Sequence, residues 1–224
     1  MSPFRSNRRL LLAIGASLAL PSIPMLSHAD SYDDWFHAVQ LDDDQTVASL
    51  LKRGFDPNTI ERDRGDSGLM IAIRENAMRV FMVLLNARDI ELDQKASNGD
   101  TPLMLAAFKA NKPAVKALLE KGAAVNRPGW TPLHYAAAAG DNEIVQMLLD
   151  KSANLDARSP NGTTPIMMAA RGSHILTVKL LLDAGADATL KNQQGMTAID
   201  FARQAGDKQI VEGLTYRLKK AGKL

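Results

Sequence analysis

Four threonines set the frame of this chain. Thr101, Thr131, Thr164 and Thr197 are spaced by 30, 33 and 33 residues, and Ser67 holds the same place 34 residues before Thr101. A hydroxyl residue returning at that interval, each time ahead of an apolar helical pattern, requires stacked copies of one small unit. The unit is clearest at Gly129–Asp156. Thr131 can cap a helix through its hydroxyl, and Pro132 suits the first helical position, where its missing N–H has no partner anyway. Ala136 to Ala139 are small and admit another helix at close range. Gly140-Asp141-Asn142 breaks this helix, and Ile144, Val145, Met147, Leu148 and Leu149 give a second one an apolar stripe.

The period divides the chain into six units, near 31–61, 62–95, 96–127, 128–158, 159–191 and 192–220. In the first, Trp35, Phe36, Ala38 and Val39 mark one helix, and Val47, Leu50 and Leu51 mark the next. Asp42-Asp43-Asp44 falls in the turn between them. It reads as a solvated turn favouring the helix N-terminus that follows, and no calcium-loop spacing surrounds it. Asn98-Gly99 and Asn161-Gly162 are preferred tips for two-residue hairpins. The connection from Asn126 to Thr131 is three residues shorter than that from Asp156 to Thr164, so one projection is clipped and ends in Trp130.

Thr131-Pro132-Leu133-His134, the helix pairs, and endings such as Gly122-Ala123-Ala124-Val125-Asn126 and Gly185-Ala186-Asp187 resemble the ankyrin-repeat family. The resemblance covers essentially everything after residue 30. It implies an all-α solenoid of about six helix–turn–helix units with short β-hairpin fingers. It implies a protein partner held on the concave face by the fingers and the exposed side of the first helices. Carried over position by position, this gives Asp66, Asp100, Trp130, Thr163 and Met196 before the Thr or Ser. After the Ala pairs it gives Arg74, Glu75, Phe108, Lys109 and Arg171, with Lys95, Arg158 and Lys191 flanking the fingers. One departure is that only His134 fills the His of the motif; Met70, Met104 and Met167 occupy it elsewhere. Those units are expected to depend more on packing. A second is Ser152, which stands where other endings have Gly, so a left-handed Ser is expected.

Residues 1–29 lie outside the repeat. Arg5, Arg8 and Arg9, the apolar run Leu10–Leu20, and Ser27-His28-Ala29 read as a cleavable secretory signal, cut between Ala29 and Asp30. The apolar run is too short to span a bilayer, so no stable membrane anchor is expected after cleavage. Asn7-Arg8-Arg9 faintly resembles a twin-arginine export signal. The expected location is the periplasm of a Gram-negative bacterium, or secretion beyond it. Without the three leader arginines, the 27 basic and 25 acidic residues nearly balance. That leaves no general electrostatic case for nucleic acid.

Enzyme constellations are not evident. His37, His134 and His174 fall in different units, there is no Cys, and no phosphate-loop or nucleophile-elbow motif occurs. No metal, cofactor or catalytic residue is expected, and the methionines read as core. The expected function is a non-enzymatic, monomeric protein-interaction scaffold. Alternatives are an inhibitor or immunity-type protein blocking an enzyme, a secreted effector acting on host proteins, or a weak hydrolase or small-ligand binder.

Overall fold

The computed structural model describes residues 28–223. The expected leader therefore lies outside the described residues up to 27, and the expected cut at Ala29/Asp30 falls in the first turn of a helix. Twelve helices are described, as six pairs. The inner member of each pair is α1 (His28–Gln40), α3 (Gly68–Arg74), α5 (Pro102–Phe108), α7 (Pro132–Ala139), α9 (Pro165–Arg171) or α11 (Ala198–Gln204). The outer members are α2 (Asp44–Lys52), α4 (Met78–Leu85), α6 (Lys112–Lys121), α8 (Asn142–Asp150), α10 (Ile175–Asp183) and α12 (Lys208–Lys220). No described helix is long and apolar enough to cross a membrane.

Inner helices pack along their length because their facing positions are small. Ala72, Ala106, Ala107, Ala136, Ala137, Ala169, Ala170 and Ala202 are fully buried. Outer helices meet their neighbours more sparsely, through larger residues such as Val115, Leu118, Ile144, Leu148 and Leu181. A row that packs closely beside a row that packs loosely bends toward the close side, so the inner row lines a concave face. One continuous apolar core runs through the stack, and Trp35, fully buried against Phe55, closes its N-terminal end.

Each inner helix reverses into its outer partner through a single left-handed residue: Asp42, Asn76, Ala110, Gly140, Ser173 or Gly206. The next helix is then capped one residue on, as Asp43 caps α2 and Asp141 caps α8. Asp42 does more. Helix α4 starts at Ala77, which has no side chain to cap with, and the Asp42 carboxylate accepts from Val80 N at 2.9 Å and from Arg79 Nε at 3.1 Å. The acid triplet thus serves the following helix N-terminus as expected and is more than a solvated turn. Asp43 caps its own helix, Asp42 caps the next unit's, and Asp44 lies 3.4 Å from Arg79.

Unit endings are stitched to the following unit by Asn or Asp: Asp93 accepts from Ala124 N and Asp156 from Asp187 N, and Asn does so twice. Asn58 donates to Asp89 O and accepts from Glu91 N; Asn126 donates to Ser152 O and accepts from Asn154 N, all at 2.8 Å. Ser152 is left-handed as expected, at φ 60°, where Gly122 and Gly185 stand at 91° and 102°.

The fingers differ from the expected hairpins. Among the described residues the only β pairing is one isolated bridge, Ile60 with Ser67. In the third unit Ala96 O accepts from Gly99 N at 2.8 Å, and Ala96 N donates to Asp100 O at 3.0 Å. Gly99 is left-handed and Asn98 is not. The Asn-Gly therefore closes a three-residue loop, a turn followed by a left-handed Gly, since a two-residue tip would need positive φ at both positions. Gly162 and Gly195 close the fifth and sixth fingers in the same way.

Candidate partner-binding face

The concave face is built from the starts and ends of the inner helices. At four starts, α5, α7, α9 and α11, the residue three after the threonine bonds back to the threonine N–H. At α5, Thr101 Oγ1 accepts from Met104 N and the Met104 sulfur accepts from Thr101 N, both at 3.4 Å. At α11, Asp200 replaces Met and its carboxylate accepts from Thr197 N at 2.9 Å and the Thr197 hydroxyl at 2.7 Å. These two bonds, from Thr197 N–H first, hold the Asp200 carboxyl below its usual range despite partial burial.

At α7 the partner is His134. Its Nδ1 accepts from Thr131 N at 3.2 Å, with the Thr131 hydroxyl 2.9 Å away. Nε2 must then carry the proton, and it donates to Thr163 O, in the next unit, at 2.9 Å. The expected hydroxyl cap is thus replaced at Thr131 by a ring contact. Burial pushes the imidazole below its usual range, opposed by its bond to the Thr163 carbonyl. At α9, Met167 accepts from Thr164 N at 3.4 Å but has no hydrogen to pass on, and the buried Thr164 hydroxyl has no partner.

Above this layer lies an aromatic cluster. Phe108, at the end of α5, is 55% exposed. Its ring meets that of Tyr135 edge-on at 6.1 Å, and Tyr135 meets Trp130 at 6.3 Å. Trp130 is half-buried and also stands edge-on to His134 at 5.2 Å. The Tyr135 hydroxyl donates to Asp100, whose other oxygen accepts from Asn98 at 2.7 Å. Burial, and secondarily this carboxylate, raise the Tyr135 phenol well above its usual range. Tyr135 was not among the residues singled out from the sequence. The signal was present: matching positions elsewhere hold Leu105, Met168 and Phe201, the row next to the concave surface.

The clipped finger has none of the backbone closure of its neighbours. Arg127 Nη1 instead reaches back to Gly99 O at 2.7 Å, and Gly129 lies beside Pro160 of the next finger.

Two expected binding residues are corrected. Asp66 is 2% exposed, and one of its oxygens is held by Arg74 Nε at 3.0 Å and Nη2 at 2.8 Å. Thr163 is 3% exposed; its backbone carbonyl serves His134, and its N–H serves Ser159 and Asn161. Neither side chain is open to a partner. Arg74, tied to Asp66, is only partly free. Glu75, Lys109 and Arg171 are exposed, while Asp100 and Met196 are half-buried. Phe108, Trp130 and Asp100 are brought together around Tyr135; Met196 sits apart, in the sixth unit.

A family model of three ankyrin repeats matches residues 35–128, 69–159 and 140–221. The chain belongs to the ankyrin-repeat family. It is similar to the human transient receptor potential cation channel subfamily A member 1, 32% identical over 133 residues, 57% of this chain and 12% of that protein. It is also similar to human SH3 and multiple ankyrin repeat domains protein 2, 34% identical over 123 residues, 53% of this chain and 7% of that one. A third relative is the neurogenic locus notch homolog protein 1 of Xenopus laevis, 34% identical over 113 residues, 49% of this chain and 4% of the other. The ankyrin-repeat chain thus spans 12% or less of the length of these relatives. Ankyrin repeats are protein-interaction scaffolds, and the stacked architecture here is of that kind.

Proposed function

We propose that this ankyrin-repeat chain is a non-enzymatic scaffold that acts in the envelope of a Gram-negative bacterium. It holds a protein partner on its concave face, centred on Phe108, Tyr135 and Trp130. The observation that carries the site is Phe108. A ring more than half exposed, backed by two further rings and a hydrogen-bonded phenol, is a rigid apolar anchor point, and such aromatic positions dominate binding energy at interfaces. The basic and apolar start of the chain supports export.

Affinity capture from periplasmic extract tests both parts. Chain isolated from the envelope should begin at Asp30 on N-terminal sequencing; an intact Met1 start overturns export. A captured partner should be weakened by about 2 kcal/mol or more by Phe108→Ala. Lys151→Ala, at the end of outer helix α8, should leave it bound.

A further inference from the structure

The finger side carries one cation per unit across four units. Lys95, Arg158 and Lys191 each stand six residues ahead of a threonine, and Arg127, on the clipped finger, stands four ahead of Thr131; the four are separated by 32, 31 and 33 residues. Lys95, Arg158 and Lys191 are exposed and Arg127 is half-buried. None of the four is in an ion pair among the described residues. Arg127 Nη1 donates to Gly99 O at 2.7 Å and Arg158 Nη1 to Lys191 O at 3.2 Å. Each guanidinium is thereby fixed to a neighbouring finger while keeping further N–H donors for another acceptor.

Neighbouring inner helices pack about 10 Å apart, so the row has a rung at about that interval. A peptide in the extended polyproline II conformation advances about 3.1 Å per residue with three residues per turn, so every third side chain comes level with the next rung on the same side. We propose that the row binds an extended acidic segment of the partner, its carboxylates about three residues apart. One apolar side chain of that segment rests against Trp130, which follows Arg127 on the same finger. The inference rests on the concave-face reading above and gives the partner a chemistry.

The acids of this face favour spaced carboxylates over a continuous polyanion. Asp100 is bound by Tyr135 and Asn98, and Asp200 by Thr197 and Arg203, so carboxylates of this face stand in and beside the row of cations. A nucleic-acid strand, charged at every nucleotide, would meet them. The row also ends at the second unit. There Glu61 holds the matching place, and its carboxylate accepts from Arg64 N at 2.7 Å.

The test uses chain isolated from the envelope and two labelled peptides of about ten residues, enough to span four rungs. Both contain the same glutamates and one leucine. One peptide has Glu at every third position, and the other has them contiguous. The spaced peptide should bind about threefold tighter or better, and its affinity should fall as salt rises. Lys95→Ala, Arg158→Ala and Lys191→Ala should each weaken it about two- to fivefold, whereas Lys121→Ala and Lys151→Ala should not. Equal binding of the two peptides overturns the proposal. So does unchanged binding in the row variants, or equal competition by a ten-nucleotide oligothymidylate, which would point to nucleic acid instead. A captured partner that Phe108→Ala releases and the row variants retain defeats the row alone. One that neither releases defeats the concave face as well.

Discussion

The fourth and fifth units share a fold and differ at three places. The fourth opens with His134 and the fifth with Met167. The fourth has the clipped finger and the fifth a closed one. The fourth ends on left-handed Ser152 and the fifth on Gly185. His134 spends both ring nitrogens, one on its own helix start and one on the carbonyl of Thr163 in the next unit. Met167 makes only the first contact and leaves the Thr164 hydroxyl without a partner. One side chain is therefore both a cap and a clamp between units. The lesson is that the coupling between repeats is not uniform; it depends on whether the residue three after the threonine can donate as well as accept.

The largest expected effect is His134→Ala, which removes a filled buried site and leaves Thr131 N–H unpaired. About 3 kcal/mol should be lost in urea unfolding. A loss below about 1 kcal/mol would mean that the clamp contributes nothing beyond packing.

Trp130→Ala should cost about 2 kcal/mol, because the ring covers His134. Phe108→Ala, though in the same cluster, should stay within about 0.5 kcal/mol because it removes exposed surface. Equal melting midpoints for the two variants would remove the distinction between support and contact.

The pH dependence separates the two units without perturbing shape. Folded His134 is held neutral by burial, while the unfolded chain takes up a proton at about pH 6.5. The unfolded state then binds more protons, so this contribution is full above that pH and is lost as the pH falls below it. The slope from this site approaches about 1.4 kcal/mol per pH unit until the folded imidazole itself protonates. His134→Met should flatten the pH 5–7 profile of the urea midpoint; an unchanged profile would show that another group controls it.

Met167→His tests the comparison in reverse. Met196 O already accepts from Asn192 N, as Thr163 O accepts from Ser159 N, so the clamp acceptor exists one unit on. A gain of about 1 kcal/mol is expected in urea unfolding. Smallest is Ser152→Gly, which relieves a left-handed Ser and should add about 1 kcal/mol or less after the added entropy of Gly. A loss would mean that the Ser side chain stabilises this turn. Partner capture should not change, because Ser152 lies at the unit ending, away from the fingers.

The repeat itself was legible because helix starts carry a physical signature: a hydroxyl, a proline and an apolar stripe at fixed distance. Asn-Gly marked where the fingers turn but not how, since Asn98 keeps negative φ and only Gly99 turns left-handed. The face was harder to read. The repeat pattern makes the residue before the threonine an exposed position in every unit, but Asp66 is drawn in by Arg74, eight residues on, and Thr163 by hydrogen bonds on both sides. Tyr135 went unselected because it adjoins the motif and looks like core. Its place between Phe108 and Trp130 joins two units and is set by the stacking, not by the local pattern.

Asp42 has a consequence for how the stack opens. The Val80 amide is bonded to a carboxylate from the preceding helix pair, 38 residues earlier. Hydrogen exchange at that one amide therefore reports detachment of the first pair from the second, even while α4 keeps its own turns. If the N-terminal pair peels away as a unit, Val80 will exchange with the amides of α1 and α2 rather than with its helical neighbours. A single resonance would then time the fraying of the whole end.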